Sequence, residues 1–122
     1  MGKQEKSIID LNVKKLAIKI GYSYLEAKCG YWSDAAGKIH SYDSMDNDYL
    51  KNCINFIDRG IKELKGNSVD SDIKNHASIM LNISKESITE KDIKSIKKDI
   101  IFLIKDKKSE LVECKEKRKK YK

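Results

Sequence analysis

The chain has 122 residues, 39% apolar and 37% charged, with a formal charge of +7. That length fits a single domain over residues 1–122, with carbon enough for one core and charge on every surface around it. No run approaches the ~20 consecutive apolar residues of a membrane span, and Met1–Lys6 leads into no uncharged segment of signal-peptide type, so a cytoplasmic protein without a membrane partner is expected.

In chain order, Leu16, Ile18, Ile20, Tyr22 and Tyr24 alternate with Ala17, Lys19, Gly21 and Ser23, the period of two that marks a strand. The spacing of Ile9, Val13, Leu16, Ile20 and Tyr24 also fits one helix face. Aromatic enrichment and Gly21 tilt the expectation to β over Leu16–Lys28. Gly30 then precedes Tyr31-Trp32-Ser33, Asp34-Ala-Ala-Gly37 has turn chemistry, and Lys38–Tyr42 alternates again, which predicts a β-hairpin. Trp32, His40 and Tyr42 are polar-tipped rings on a short ribbon, where complete burial is difficult.

Asp46 or Asn47 caps a helix expected over Asn47–Lys65, and Gly66 ends it in the left-handed conformation. Its apolar stripe is Leu50, Cys53, Ile54, Ile57, Ile61 and Leu64. Asn52, Phe56, Arg59 and Glu63 fall on the opposite face. A shorter helix follows over Ser71–Leu81 as a packing element. The last helix begins near Ser87 or Thr89, with Ser87 and Glu90 spaced as a capping box, and runs to about Lys119. Its stripe of Ile93, Ile96, Ile100, Leu103, Ile104, Leu111 and Cys114 is long enough to outreach a small domain and meet a second subunit. Phe102 lies off that stripe. The fold class expected is therefore α+β: N-terminal antiparallel strands with a hairpin, then helices including a long C-terminal one.

Both phenylalanines thus project away from the main stripes of their helices. Two readings stand. Phe56 and Phe102 enter a second layer of core or a dimer interface, or one of them stacks on a planar ligand group while Arg59 or Arg118 binds an anionic part and Asn52 supplies donors and acceptors. The two arginines are conspicuous beside 24 lysines, since lysine cannot copy the planar donor fork of a guanidinium.

Catalysis finds little support. His40 and His76 have no metal-ligand spacing, no serine sits in a nucleophile elbow, and no glycine-rich run precedes a helix. Asp43, Asp46 and Asp48 suggest a hard cation, but helix capping explains them better, and neither metal nor cofactor is expected. Cys29, Cys53 and Cys114 are odd in number and widely spaced, which points to buried reduced thiols. The segment Lys115–Lys122 has six positive groups against one negative, so +5 of the charge of +7 sits in a tail. That tail supports an alternative function, a small nucleic-acid-binding protein using the basic C-terminal helix.

The stretch Trp32-Ser-Asp-Ala-Ala-Gly-Lys-Ile39, with Asp43-Ser-Met45, Tyr49-Leu-Lys-Asn-Cys-Ile54 and Phe56-Ile-Asp-Arg59, resembles a signature of small phage proteins. That signature is a Trp, a turn with Gly, an Ile, Asp-x-Met, then a helix opening with an aromatic or His, Leu and Asn. About a quarter of the chain is covered. The hairpin feeding a helix and the long last helix look most like the first-described family of Thoeris anti-defence proteins, phage-encoded sponges that sequester cyclic ADP-ribose isomers without cleaving them. The resemblance implies a non-enzymatic protein of the infected bacterial cytoplasm, forming a homodimer or higher homo-oligomer. The residue types suit that ligand: adenine offers a face for stacking by Trp32, Phe56 or Phe102, the pyrophosphate suits Arg59 or Arg118, and the ribose hydroxyls suit Asn52 and Asp43. Of these, Trp32, Asp43, Asn52 and Arg59 stand at positions of the signature.

Overall fold

A computed structural model describes residues 11–120; residues 1–10, which include Ile9, and Tyr121 and Lys122 of the basic tail lie outside it. The architecture is α+β, a two-stranded antiparallel hairpin set among four α-helices in the described residues.

The first described element corrects the strand expected over Leu16–Lys28. Val13–Lys19 is a helix, α1, opened by Asn12, whose Oδ1 accepts from Lys15 N at 3.0 Å. Gly21, at φ +128°, breaks it, and Ser23–Glu26 forms a single 3₁₀ turn. The helical period prevails because it collects Leu16 and Ala17 on one fully buried face, with Tyr24 beneath the turn. A strand here would have had no neighbour to complete its hydrogen bonds, since the only sheet among the described residues has two strands.

The hairpin is where the spacing predicts it: β1 is Tyr31–Ser33 and β2 is Ile39–Ser41, with Trp32 opposite His40. Asp34 builds the turn. Its Oδ1 accepts from Ala36 N and Lys38 N at 3.0 and 2.9 Å, and Gly37, at φ +87°, completes the reversal. The expectation of incomplete burial fails for two of the three rings, because helices close over the ribbon: Trp32 and Tyr42 are 4% and 6% exposed.

Helix α2 spans Asn47–Lys65, as its stripe and caps predict, and Asp46 Oδ1 accepts from Tyr49 N at 2.8 Å. Gly66 ends it in extended rather than left-handed backbone, with its N–H donating to the carbonyls of Lys62 and Glu63. The left-handed terminator is Asn82, at φ 56°, which closes α3 (Asp70–Leu81). Helix α4 runs from Glu90 to Lys120, a 31-residue rod of about 46 Å at 1.5 Å per residue. Its capping pair is Thr89 with Asp92, not Ser87 with Glu90: Thr89 Oγ1 accepts from Asp92 N, and Asp92 Oδ2 from Thr89 N, both at 3.0 Å. Ser87 instead closes a 3₁₀ turn over Lys85–Ser87.

Leu16, Leu50, Ile57, Leu64, Ile73, Ile96, Ile100, Ile104 and Leu111 form a continuous core, each at most 1% exposed. Burial of each contributes roughly 1.5–3 kcal/mol before the loss of chain entropy. The stripe of α4 packs on this core as far as Cys114, so it serves the chain's own interior rather than projecting past it. Its end is pinned as well. The Arg118 guanidinium donates to the carbonyls of Tyr42 and Met45 at 2.8 and 2.6 Å and to Asn47 Oδ1 at 3.0 Å.

One polar junction sets the hairpin on α4. Lys107, 4% exposed, donates to the carbonyls of Ala27, Lys28 and Tyr31 at 3.1, 3.3 and 3.0 Å and to Glu110 Oε1 at 3.3 Å. The same carboxylate oxygen accepts from Tyr42 Oη at 2.6 Å and Gly30 N at 3.3 Å. Burial opposes the charge of Glu110, yet the Tyr42 hydroxyl, the Lys107 ammonium and the Gly30 amide outweigh it and hold the carboxyl below its ordinary range.

Candidate functional site: a cleft between the hairpin and the second helix

Trp32 on β1 and Asn52, Phe56 and Arg59 on α2 line a single cleft of about 260 Å³, whose wall also includes Ser33, Tyr49 and the Asp34 carboxylate. The helical repeat explains the grouping, since residues 52, 56 and 59 are spaced four and three apart and share a face. Four of the seven residues singled out in the sequence are thereby brought together.

The rings are partly committed to one another. Trp32 stacks on Tyr24 with centroids 4.7 Å apart and planes 9° from parallel, while Phe56 meets Tyr24 edge-on at 5.9 Å. Phe56 nevertheless stays 43% exposed. The Arg59 guanidinium lies 5.3 Å from the centre of the Phe56 ring and, among the described residues, forms no ion pair. Ser33 is 1% exposed and its Oγ has no hydrogen-bond partner among the described residues, an uncommon state for a buried hydroxyl. On the rim, Asp34 Oδ2 is 2.9 Å from His40 Nε2; the His40 contact, then the Lys38 amide, lower the Asp34 carboxyl below its ordinary value.

The remaining three residues lie elsewhere. Phe102 is 67% exposed on α4 and lines neither this cleft nor the other two cavities described below. Asp43 and Arg118 belong to a larger cavity of about 750 Å³ between the turn after β2 and the end of α4. Its lining has four carboxylates, Asp43, Asp46, Glu110 and Glu113, against the cations Lys117 and Arg118. Arg118 is already engaged by three oxygens, so this larger cavity suits a polyanion poorly in spite of its size.

Cys29 is exposed and Cys114 half-buried, both on that larger cavity, so the expectation of three buried thiols holds only for Cys53. Burial pushes the Cys53 thiol up to about 12. Sequence reasoning passed over Ser33, Tyr49 and Gly60 near the cleft. Only Gly60 had a signal, since a glycine inside a helical pattern marks a close approach.

No described helix is long and apolar enough to cross a membrane. Comparison with family models, curated proteins and solved structures finds no match to this chain.

Proposed function

We propose that the protein is a non-catalytic sponge, of the kind phages direct against Thoeris defence, which captures a cyclic ADP-ribose isomer in the bacterial cytoplasm and holds it chemically unchanged. The observation that carries this reading is the convergence of Trp32, Asn52, Phe56 and Arg59 on one cleft. An accessible phenylalanine face, a guanidinium without a carboxylate partner and an amide side chain suit a purine, a phosphate and a sugar respectively. A volume of 260 Å³ accepts a base but not the whole ligand. The rest extends past the Phe56–Arg59 pair or against a second copy of the chain, and the exposed Phe102 ring supports such a homo-oligomer.

The test is a thermal-shift panel of cyclic ADP-ribose isomers, with the bound ligand recovered after denaturation. A ligand at about 100 times its dissociation constant adds about 2.7 kcal/mol of stability. Stabilisation with intact ligand is the expected result. Recovery of a linearised product, or no stabilisation by any isomer, would rule the proposal out.

A further inference from the structure

Phe56 and Arg59 also line a second cleft, about 270 Å³, formed with Tyr22, Tyr24, Gly60 and Glu63 where the turn after α1 meets the middle of α2. Its chemistry is one-sided. Tyr24 is 1% exposed, and its hydroxyl is shut from solvent with no partner among the described residues. Burying a hydroxyl unpaired is unfavourable, and here the backbone is shaped to permit it. A Cβ at Gly60 would stand 3.2 Å from Tyr24 Oη and 3.0 Å from Tyr22 Cε1, so a residue that weakens a helix interior is what makes room for these rings.

The donors in this cleft exceed the acceptors. Burial first, then the neighbouring Tyr22 and Glu63, raise the Tyr24 hydroxyl above the ordinary phenol range, so it keeps its proton at physiological pH. Arg59 adds a fork of N–H groups whose one neighbour noted among the described residues is the face of Phe56. The carboxylate present, Glu63, accepts from Tyr22 Oη at 3.1 Å. Among the described residues, neither the Tyr24 hydroxyl nor the Arg59 guanidinium has a negatively charged acceptor in the cleft.

We propose that this second cleft is an oxyanion subsite, in which the Arg59 guanidinium and, once the cleft opens to it, the Tyr24 hydroxyl donate to phosphate oxygens. The choice of phosphate over carboxylate rests on the nucleotide-capture reading; the demand for an oxyanion rests on the donors alone. Glu63 sets an electrostatic limit on the charge the cleft accepts.

The experiment titrates the full chain separately with inorganic pyrophosphate, malonate and adenosine, following Trp32 fluorescence, which senses Tyr24 through their stacked rings. Pyrophosphate should bind, losing about tenfold or more in affinity in Tyr24→Phe and in Arg59→Gln, since a hydrogen bond to a charged group carries at least that factor. Glu63→Gln should bind it more tightly. Tyr24→Phe without any anion should melt at the same temperature or higher, because it deletes an unpaired polar atom and keeps the ring stack. Unchanged pyrophosphate affinity in Tyr24→Phe, or a loss of stability in that variant without anion, overturns the subsite. Preference for malonate overturns the choice of phosphate. Adenosine binding without pyrophosphate binding sinks the subsite alone, and pyrophosphate binding without adenosine or cyclic ADP-ribose binding sinks the nucleotide reading alone.

Discussion

Replacing Lys107 by Met tests whether the buried ammonium is what seats the hairpin on α4. The substitution keeps side-chain length and apolar volume but removes the donor shared by three backbone carbonyls and Glu110. Breaking one side of a buried charge pair costs about 3–5 kcal/mol. The Glu110 side chain is 25% exposed and keeps its contacts to Tyr42 and Gly30, which favours the lower end, about 3 kcal/mol. Against a total stability of about 5–15 kcal/mol this is a large fraction, equivalent to a drop of roughly 10–15 °C in melting temperature for a chain of this size. Urea unfolding followed by far-UV circular dichroism and by the single tryptophan, Trp32, measures it. In a Glu110→Gln background the same substitution should cost less, since the two groups share one network. A loss under about 1 kcal/mol, or strict additivity in the double variant, would refute the reasoning.

Glu110 also predicts an acid limb. Because its folded value is depressed, its contribution is fully present above the ordinary value of 4.5 and disappears as pH falls through the lower folded value, so Glu110→Gln should flatten stability against pH below about 4.5. Gly60→Ala should be destabilising by about 1–3 kcal/mol through overpacking against Tyr22 and Tyr24, despite the helix propensity gained, and a net increase in urea midpoint would show that Tyr22 swings aside freely. Thiol labelling of the native chain should modify Cys29 first and Cys53 last, since Cys53 is 3% exposed and its thiol is pushed up to about 12; early labelling of Cys53 contradicts the packing of α2. Removal of residues 115–122 should lower stability by about 1–3 kcal/mol, because the carbonyls of Tyr42 and Met45 lose the Arg118 donor; an unaffected melting curve contradicts that clasp.

Local signals carried a good part of the architecture. The bounds of α2 follow from a 3.6-residue stripe bracketed by Asp46 and Gly66, and the hairpin from Asp34 and Gly37, because caps and turns are satisfied by atoms a few residues apart. The same locality made Val13–Tyr24 ambiguous. Two periods fit those residues, and the tertiary packing that buries Leu16 and Ala17, with no third strand among the described residues to pair with the segment, selects the helix.

The candidate site was half readable for a related reason. Asn52, Phe56 and Arg59 share a helix face by counting alone, and Trp32 joins them in the cleft through the packing of the hairpin on α2. Arg118 stands out in the sequence by its rarity, but its three acceptors lie 71 to 76 residues upstream. Lys107, one of 24 lysines, carried no mark of its burial, since the carbonyls that hold it are 76 to 80 residues away and every residue type has a carbonyl. Periodicity reports which side of an element avoids water; which polar atoms end without a partner, such as the Tyr24 and Ser33 hydroxyls, depends on distant backbone meeting in space.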